Sequence, residues 1–123
     1  MPLSTVVIAQ SDPRTAQGIA EDLHAHFAKV AIAQSAVELH DLLLRHEARI
    51  AVLDLEIVNL EEVRKLSEAF DGLAIICTHR SPDERLWMAA LNAGAIEFCH
   101  PLDLHSILRA THSAAQRGLK SAA

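Results

Sequence analysis

The sequence predicts an α/β fold of five successive βα units, a parallel sheet with helices on both faces. Short apolar runs rich in β-branched residues alternate with longer segments of helical periodicity, and the alternation repeats five times in 123 residues. Such alternation marks βα units and a parallel sheet. The strand runs are apolar throughout rather than at every second residue, as expected of strands covered on both sides. A chain of this length can bury its own core, and one domain over residues 1–123, with no output module, is expected.

The strand runs are Thr5 to Ala9, Val30 to Ala33, Arg49 to Leu53, Leu73 to Cys77 and Ile96 to Cys99. Each helix is announced by its cap. Asp12-Pro13 supplies a capping carboxylate and a proline at the first helical position, where a missing N–H does no harm; Ala16, Ile19, Leu23 and Phe27 continue as its apolar stripe. Ser35 to Glu38 and Ser81 to Glu84 fit a capping box, and Asn59 to Glu62 is a weaker version of it. Leu39, Leu42 and Leu43 follow the first box, Leu86, Ala90 and Leu91 the second, and Val63 and Leu66 the third. Gly94 ends the fourth helix. Asp103 caps the last, whose Leu104, Ile107, Leu108 and Thr111 share a face before Gly118 closes it.

Half the residues are apolar and 22% are charged, a globular balance rather than a disordered one. The net charge is −5 and the eleven Lys and Arg residues are scattered, so there is no electrostatic footprint for nucleic acid. Met1 to Thr5 contains no basic region leading into a long apolar stretch, and no apolar run approaches the ~20 residues that span a bilayer. A cytoplasmic protein without membrane contact is expected. Cys77 and Cys99 lie in apolar stretches without a Cys-x-x-Cys spacing and read as small buried hydrophobes rather than a disulfide.

Parallel strands joined by right-handed crossovers put their carboxyl ends on one edge of the sheet, where open α/β folds bind ligands near a topological switch point. The residues at that edge are Gln10, Ser11 and Asp12 after the first strand, Asp54 after the third, Thr78 after the fourth and His100 after the fifth. Read together, they resemble the receiver domain of bacterial two-component response regulators, over essentially the whole chain. Val6-Val7-Ile8-Ala9-Gln10-Ser11-Asp12-Pro13 places Gln10 and Ser11 where that family has an acidic pair. Ile50-Ala51-Val52-Leu53-Asp54 ends on an aspartate as the phosphoacceptor strand does, and Thr78 stands at the family's Ser or Thr. Gly94-Ala95, Phe98 and Pro101 resemble the ending before the last helix.

The resemblance implies a flavodoxin-like (βα)5 fold, doubly wound in the order 2-1-3-4-5. It implies Asp54 as phosphoacceptor, Thr78 as phosphoryl hydrogen-bond donor and Phe98 as switch aromatic. Departures are equally specific. Both acids of the pair are absent, the loop from Leu55 to Asn59 lacks the usual Pro-Gly, and His100 precedes Pro101 where the family has Lys. The stretch from Phe98 to Pro101 is one residue short, so either His100 replaces the lysine or that position is deleted.

In that family Mg²⁺ bridges carboxylates and phosphoryl oxygens. Here Asp54, Asp12, Gln10 and Ser11 are the candidate ligands, and a set reduced to so few carboxylates weakens the ion, because each carboxylate contact is worth kcal/mol-scale energy. Asp12, before Pro13, also reads as a helix cap. Thr78 could equally bond the local backbone, Phe98 could be core, and Trp87 is either half-buried core or a partner anchor. His24 and His26, two apart on a helix, point apart, and His100 with His105 completes no zinc set.

The expected function is that of a stand-alone receiver in a phosphorelay. It would accept a phosphoryl group from a sensor histidine kinase or phosphotransfer protein, signal by altered binding of a downstream protein partner, and act as a regulator rather than an enzyme. A homodimer is left open. One alternative is a phosphorylation-independent pseudoreceiver serving as a docking or dimerisation module. Another is a small flavodoxin-like enzyme or nucleotide binder, which the absence of any glycine-rich loop after the first strand disfavours.

Overall fold

The computed structural model of the chain describes residues 5–81 and 83–122, with side chains described as far as residue 117. Residues 1–4, on which the reading of the N-terminus rests, lie outside the described residues. Strands β1 (Thr5–Ala9), β2 (Lys29–Ala33), β3 (Ile50–Asp54), β4 (Ala74–Thr78) and β5 (Glu97–Cys99) alternate with α1 (Pro13–His24), α2 (Ala36–Arg45), α3 (Leu60–Ala69), α4 (Glu84–Ala93) and α5 (Leu104–Ala122). All neighbours pair in parallel, in the order β2-β1-β3-β4-β5. This is the expected doubly wound order, and it makes β3 the central strand.

Because side chains alternate along a strand, the apolar runs supply two cores at once. Val7, Leu53 and Ile75 face one side and pack with Leu39, Leu43 and Val63 of α2 and α3. Val6, Ile8, Val52 and Ile76 face the other and pack with Ile19, Leu23 and Ile107 of α1 and α5. Each of these side chains is essentially fully buried, worth about 1.5–3 kcal/mol apiece. Cys77 and Cys99 belong to opposite cores although their strands are neighbours, so the sheet itself lies between their sulfurs and both are free thiols. Burial pushes the Cys77 thiol up to about 12 and the Cys99 thiol up to about 11.

Several boundaries differ from the sequence reading. The third and fourth strands end one residue later than expected, so Asp54 and Thr78 are the last residues of the sheet and are register partners. Helix α1 stops at His24, which leaves His26 and the buried Phe27 in the turn beyond it. The cap of α4 is Asp83 rather than Ser81: its Oδ1 accepts from Leu86 N–H at 2.7 Å, while Ser81 N–H donates to His79 Nδ1. A carboxylate closer to the first turn has displaced the serine. Ser35 accepts from Glu38 N–H, but Glu38 accepts from Gln34 N–H, so its box is only half formed; Asn59 and Glu62 form the complete reciprocal box. Helix α5 runs through Gly118 to Ala122, since an interior glycine costs about 1 kcal/mol and does not by itself end a helix. Among the described residues, no helix is long and apolar enough to cross a membrane.

Two backbone positions generate predictions. Glu47 follows α2 with φ +49°, a left-handed geometry that disfavours a β-carbon; Glu47→Gly should raise stability by about 1 kcal/mol in urea unfolding. Gly94 caps α4 at φ +122°, and a β-carbon there would come within 2.6 Å of Ser67 Cβ on α3. Strain and collision together predict a loss of about 2–4 kcal/mol for Gly94→Ala in the same assay.

Candidate functional site

Asp54 ends the central strand and is 2% exposed. Its neighbours are dictated by the sheet. On β4 it stands opposite Thr78; on β1, Ala9 pairs with Leu53, which brings Gln10 and Ser11 alongside it. A carboxyl group removed from water must be hydrogen-bonded, and three donors meet this one. Ser11 gives its backbone N–H at 3.0 Å and its hydroxyl at 2.6 Å to Oδ2, while Glu56 N–H reaches Oδ1 at 3.0 Å. The Asp54 carbonyl accepts from Ile57 and Val58 N–H, both at 3.0 Å, and this turn aims the Glu56 amide back at the carboxylate.

Two buried groups beside Asp54 remain unsatisfied. Gln10 Oε1 shares the Ser11 N–H with Asp54, but among the described residues its Nε2 has no partner, and neither does Thr78 Oγ1. A buried donor left unpaired costs about 1–3 kcal/mol, so this pair on either side of Asp54 is a deficit localised at the site.

A second layer covers the first. Glu56 Oε2 lies 3.3 Å from Ser11 Oγ, whose proton goes to Asp54, and Oε1 pairs with Arg80 Nε at 2.9 Å, with His79 Nε2 at 4.0 Å. The Glu56 bond and charge push the Arg80 guanidinium further up, with smaller contributions from Asp54 and Asp12. Sequence reasoning did not single out Glu56 or Arg80. Each lies two residues beyond a strand-ending site residue, Asp54 and Thr78, and that offset was the available signal.

The other candidates stand elsewhere. The Asp12 carboxylate accepts from Thr15 Oγ1 at 2.6 Å and Thr15 N–H at 3.1 Å, which holds it below the usual carboxylate range and commits it to capping α1. His100 Nδ1 accepts from Leu102 N–H at 3.0 Å, and the residue lines a groove of about 590 Å³ between β5 and α5 with Glu97, Asp103 and Arg109; among the described residues no hydrogen bond joins it to Asp54. Phe98 is half-buried, opposite Cys77, against the core beneath α2 and α3. Trp87 is 46% exposed. Among the described residues, no group of three or more His, Cys, Asp or Glu side chains is arranged to hold a metal.

No protein-family model and no curated protein sequence matches the chain, whereas solved structures match over nearly all of it. A CheY-like response regulator receiver domain protein from Methanospirillum hungatei superposes with a TM-score of 0.85 at 19% identity, over 97% of this chain and 98% of that one. A response regulator from Thermotoga maritima gives 0.83 at 19% identity, over 93% and 98%. The RcsB response regulator of Salmonella typhimurium gives 0.82 at 19% identity over 96% of this chain, which spans 62% of that chain's length. The chain therefore has the receiver-domain fold.

The hydrogen bonding predicts opposite effects for two site substitutions. Asp54→Ala strips the acceptor from Ser11 and Glu56 and should cost about 1–3 kcal/mol in urea unfolding. Thr78→Val keeps the shape and removes an unpaired hydroxyl, so it should be neutral or stabilising by up to about 1 kcal/mol.

Proposed function

We propose that the chain is a signalling receiver that accepts a phosphoryl group on Asp54 and signals through altered binding of a protein partner. The observation that carries this reading is the pair of buried donors that have no partner among the described residues, Gln10 Nε2 just after β1 and Thr78 Oγ1 at the end of β4, either side of a buried carboxylate. A phosphoryl group brings three strong acceptor oxygens, which is what two orphaned donors lack. An Asp54 oxygen attacks phosphorus, the phosphorus–nitrogen bond of a phosphohistidine breaks, and its electron pair returns to the imidazole. The chemistry implies a sensor histidine kinase or phosphotransfer protein as donor.

Mg²⁺ fits this donor set poorly. The ion prefers octahedral oxygen ligation anchored by one or two carboxylates. Here both Asp54 oxygens already accept protein hydrogen bonds, Glu56 is tied to Arg80, and Asp12 is tied to Thr15. Gln10 and Ser11 add only neutral oxygens. In this reading no step depends on the metal.

A phosphorylation-independent docking module is the second reading. The Ser11 hydroxyl favours it, since a carboxylate with three donors is satisfied without modification. Incubation with phosphoramidate, with and without Mg²⁺, followed by intact-mass measurement of wild type and Asp54→Ala, separates the two. One added phosphoryl mass on the wild type, absent from the variant and little affected by Mg²⁺, is the expected result. A wild type that stays unmodified under every condition overturns the phosphoacceptor reading and leaves the docking module.

A further inference from the structure

We propose that Arg80 is the cation of the Asp54 site, held through Nε by Glu56 so that its terminal guanidinium nitrogens bind the phosphoryl group Asp54 receives. The inference rests on Asp54 being the phosphoacceptor and assigns the group that supplies positive charge there. Its starting point is a charge imbalance. The Glu56 carboxylate stands 3.3 Å from the Ser11 hydroxyl that donates to Asp54, and Asp12 follows Ser11 in the chain, so a phosphoryl dianion on Asp54 has carboxylates for neighbours. The neutral Gln10 and Ser11 do not offset them. Catalysis of phosphoryl transfer is chiefly positioning and stabilisation of charge, so a site lacking a well-held metal needs a cation from the chain.

Arg80 has the placement. One residue connects it to the nucleophile: Glu56 bonds Asp54 Oδ1 through its backbone N–H at 3.0 Å and Arg80 Nε through its carboxylate at 2.9 Å. Glu56 also lies within 4.0 Å of His79 Nε2, on the residue next to Arg80. The salt bridge uses only Nε, and among the described residues the two terminal nitrogens form no hydrogen bond. The Arg80 side chain is 73% exposed, so an incoming donor meets it before reaching the buried carboxylate. The charges of Asp54 and Asp12 add to that of Glu56 in pushing the Arg80 guanidinium further up. A planar guanidinium anchored at one nitrogen retains a two-pronged donor edge that matches phosphoryl oxygens, a geometry lysine lacks.

With phosphoramidate as the probe the step balances without a further reactant. Its ammonium form, ⁺H₃N–PO₃²⁻, is attacked by an Asp54 oxygen, the P–N bond breaks, and the electron pair leaves on nitrogen as ammonia. Arg80 forms no covalent bond and gives up no proton; it binds the equatorial oxygens as the bond to Asp54 forms.

The test follows initial rates of phosphoryl incorporation by intact mass, in chelator, across a range of sodium chloride concentrations. It uses wild type, Arg80→Gln, Arg80→Lys and Asp54→Ala, each checked for folding by circular dichroism. Arg80→Gln is expected to slow incorporation about tenfold, in line with hydrogen bonds to charged groups, with Arg80→Lys in between. Salt distinguishes charge from structure. The wild-type rate should fall as salt screens the attraction, whereas the Arg80→Gln rate should be flat or rise as salt screens the remaining carboxylates. A modified wild type with the same rate and salt slope in Arg80→Gln overturns the role of Arg80 alone. An unmodified wild type overturns the phosphoacceptor reading and this inference with it.

Discussion

A carboxylate buried at the end of a central strand must find donors within its own fold, and much of the local architecture answers that need. Asp54 has three donors from two residues, Ser11 and Glu56, and each is in reach for a different reason. Ser11 lies 43 positions away in the chain and is brought in by the pairing of β1 with β3. Glu56 is local, its amide turned inward because the Asp54 carbonyl binds the next two N–H groups. Long-range sheet order and short-range turn geometry thus converge on one side chain.

The same sheet order explains what the site lacks. Gln10 and Thr78 are carried to either side of Asp54 by strands whose other residues are core, so their polar atoms are buried whether or not they find partners. Two do not. Deficits of this kind are uncommon in folded proteins and call for a physical account; the proposed phosphoryl group on Asp54 would supply one. The Glu56–Arg80 pair forms a charged outer layer over the buried carboxylate.

The repeat of five βα units was legible because the apolar runs are continuous and the caps chemically distinct. Asp12, Asn59 and Asp103 all cap as expected. What could not be read were endings and pairings. Asp54 is a poor strand former taken singly, yet the ladder between β3 and β4 extends to include it opposite Thr78. Ser81 lost its capping place to Asp83 because two candidates two residues apart differ in which oxygen reaches the first turn. Glu56 and Arg80 were missed since their contact spans 24 positions between two loops, where no periodicity records it. His100 was placed at the right edge of the sheet, but its ring bonds Leu102 in the next turn, a local preference that strand-end counting cannot foresee.

The central claim is that Asp54 is held in place by the Ser11 and Glu56 amides, and backbone NMR tests it most directly. In ¹⁵N–¹H spectra of wild type and Asp54→Asn, the Ser11 amide should shift strongly despite its distance along the chain, together with Glu56, while amides on the opposite edge of the sheet stay in place. A Ser11 amide that does not move, with changes confined to the sequence neighbours of residue 54, would contradict the account.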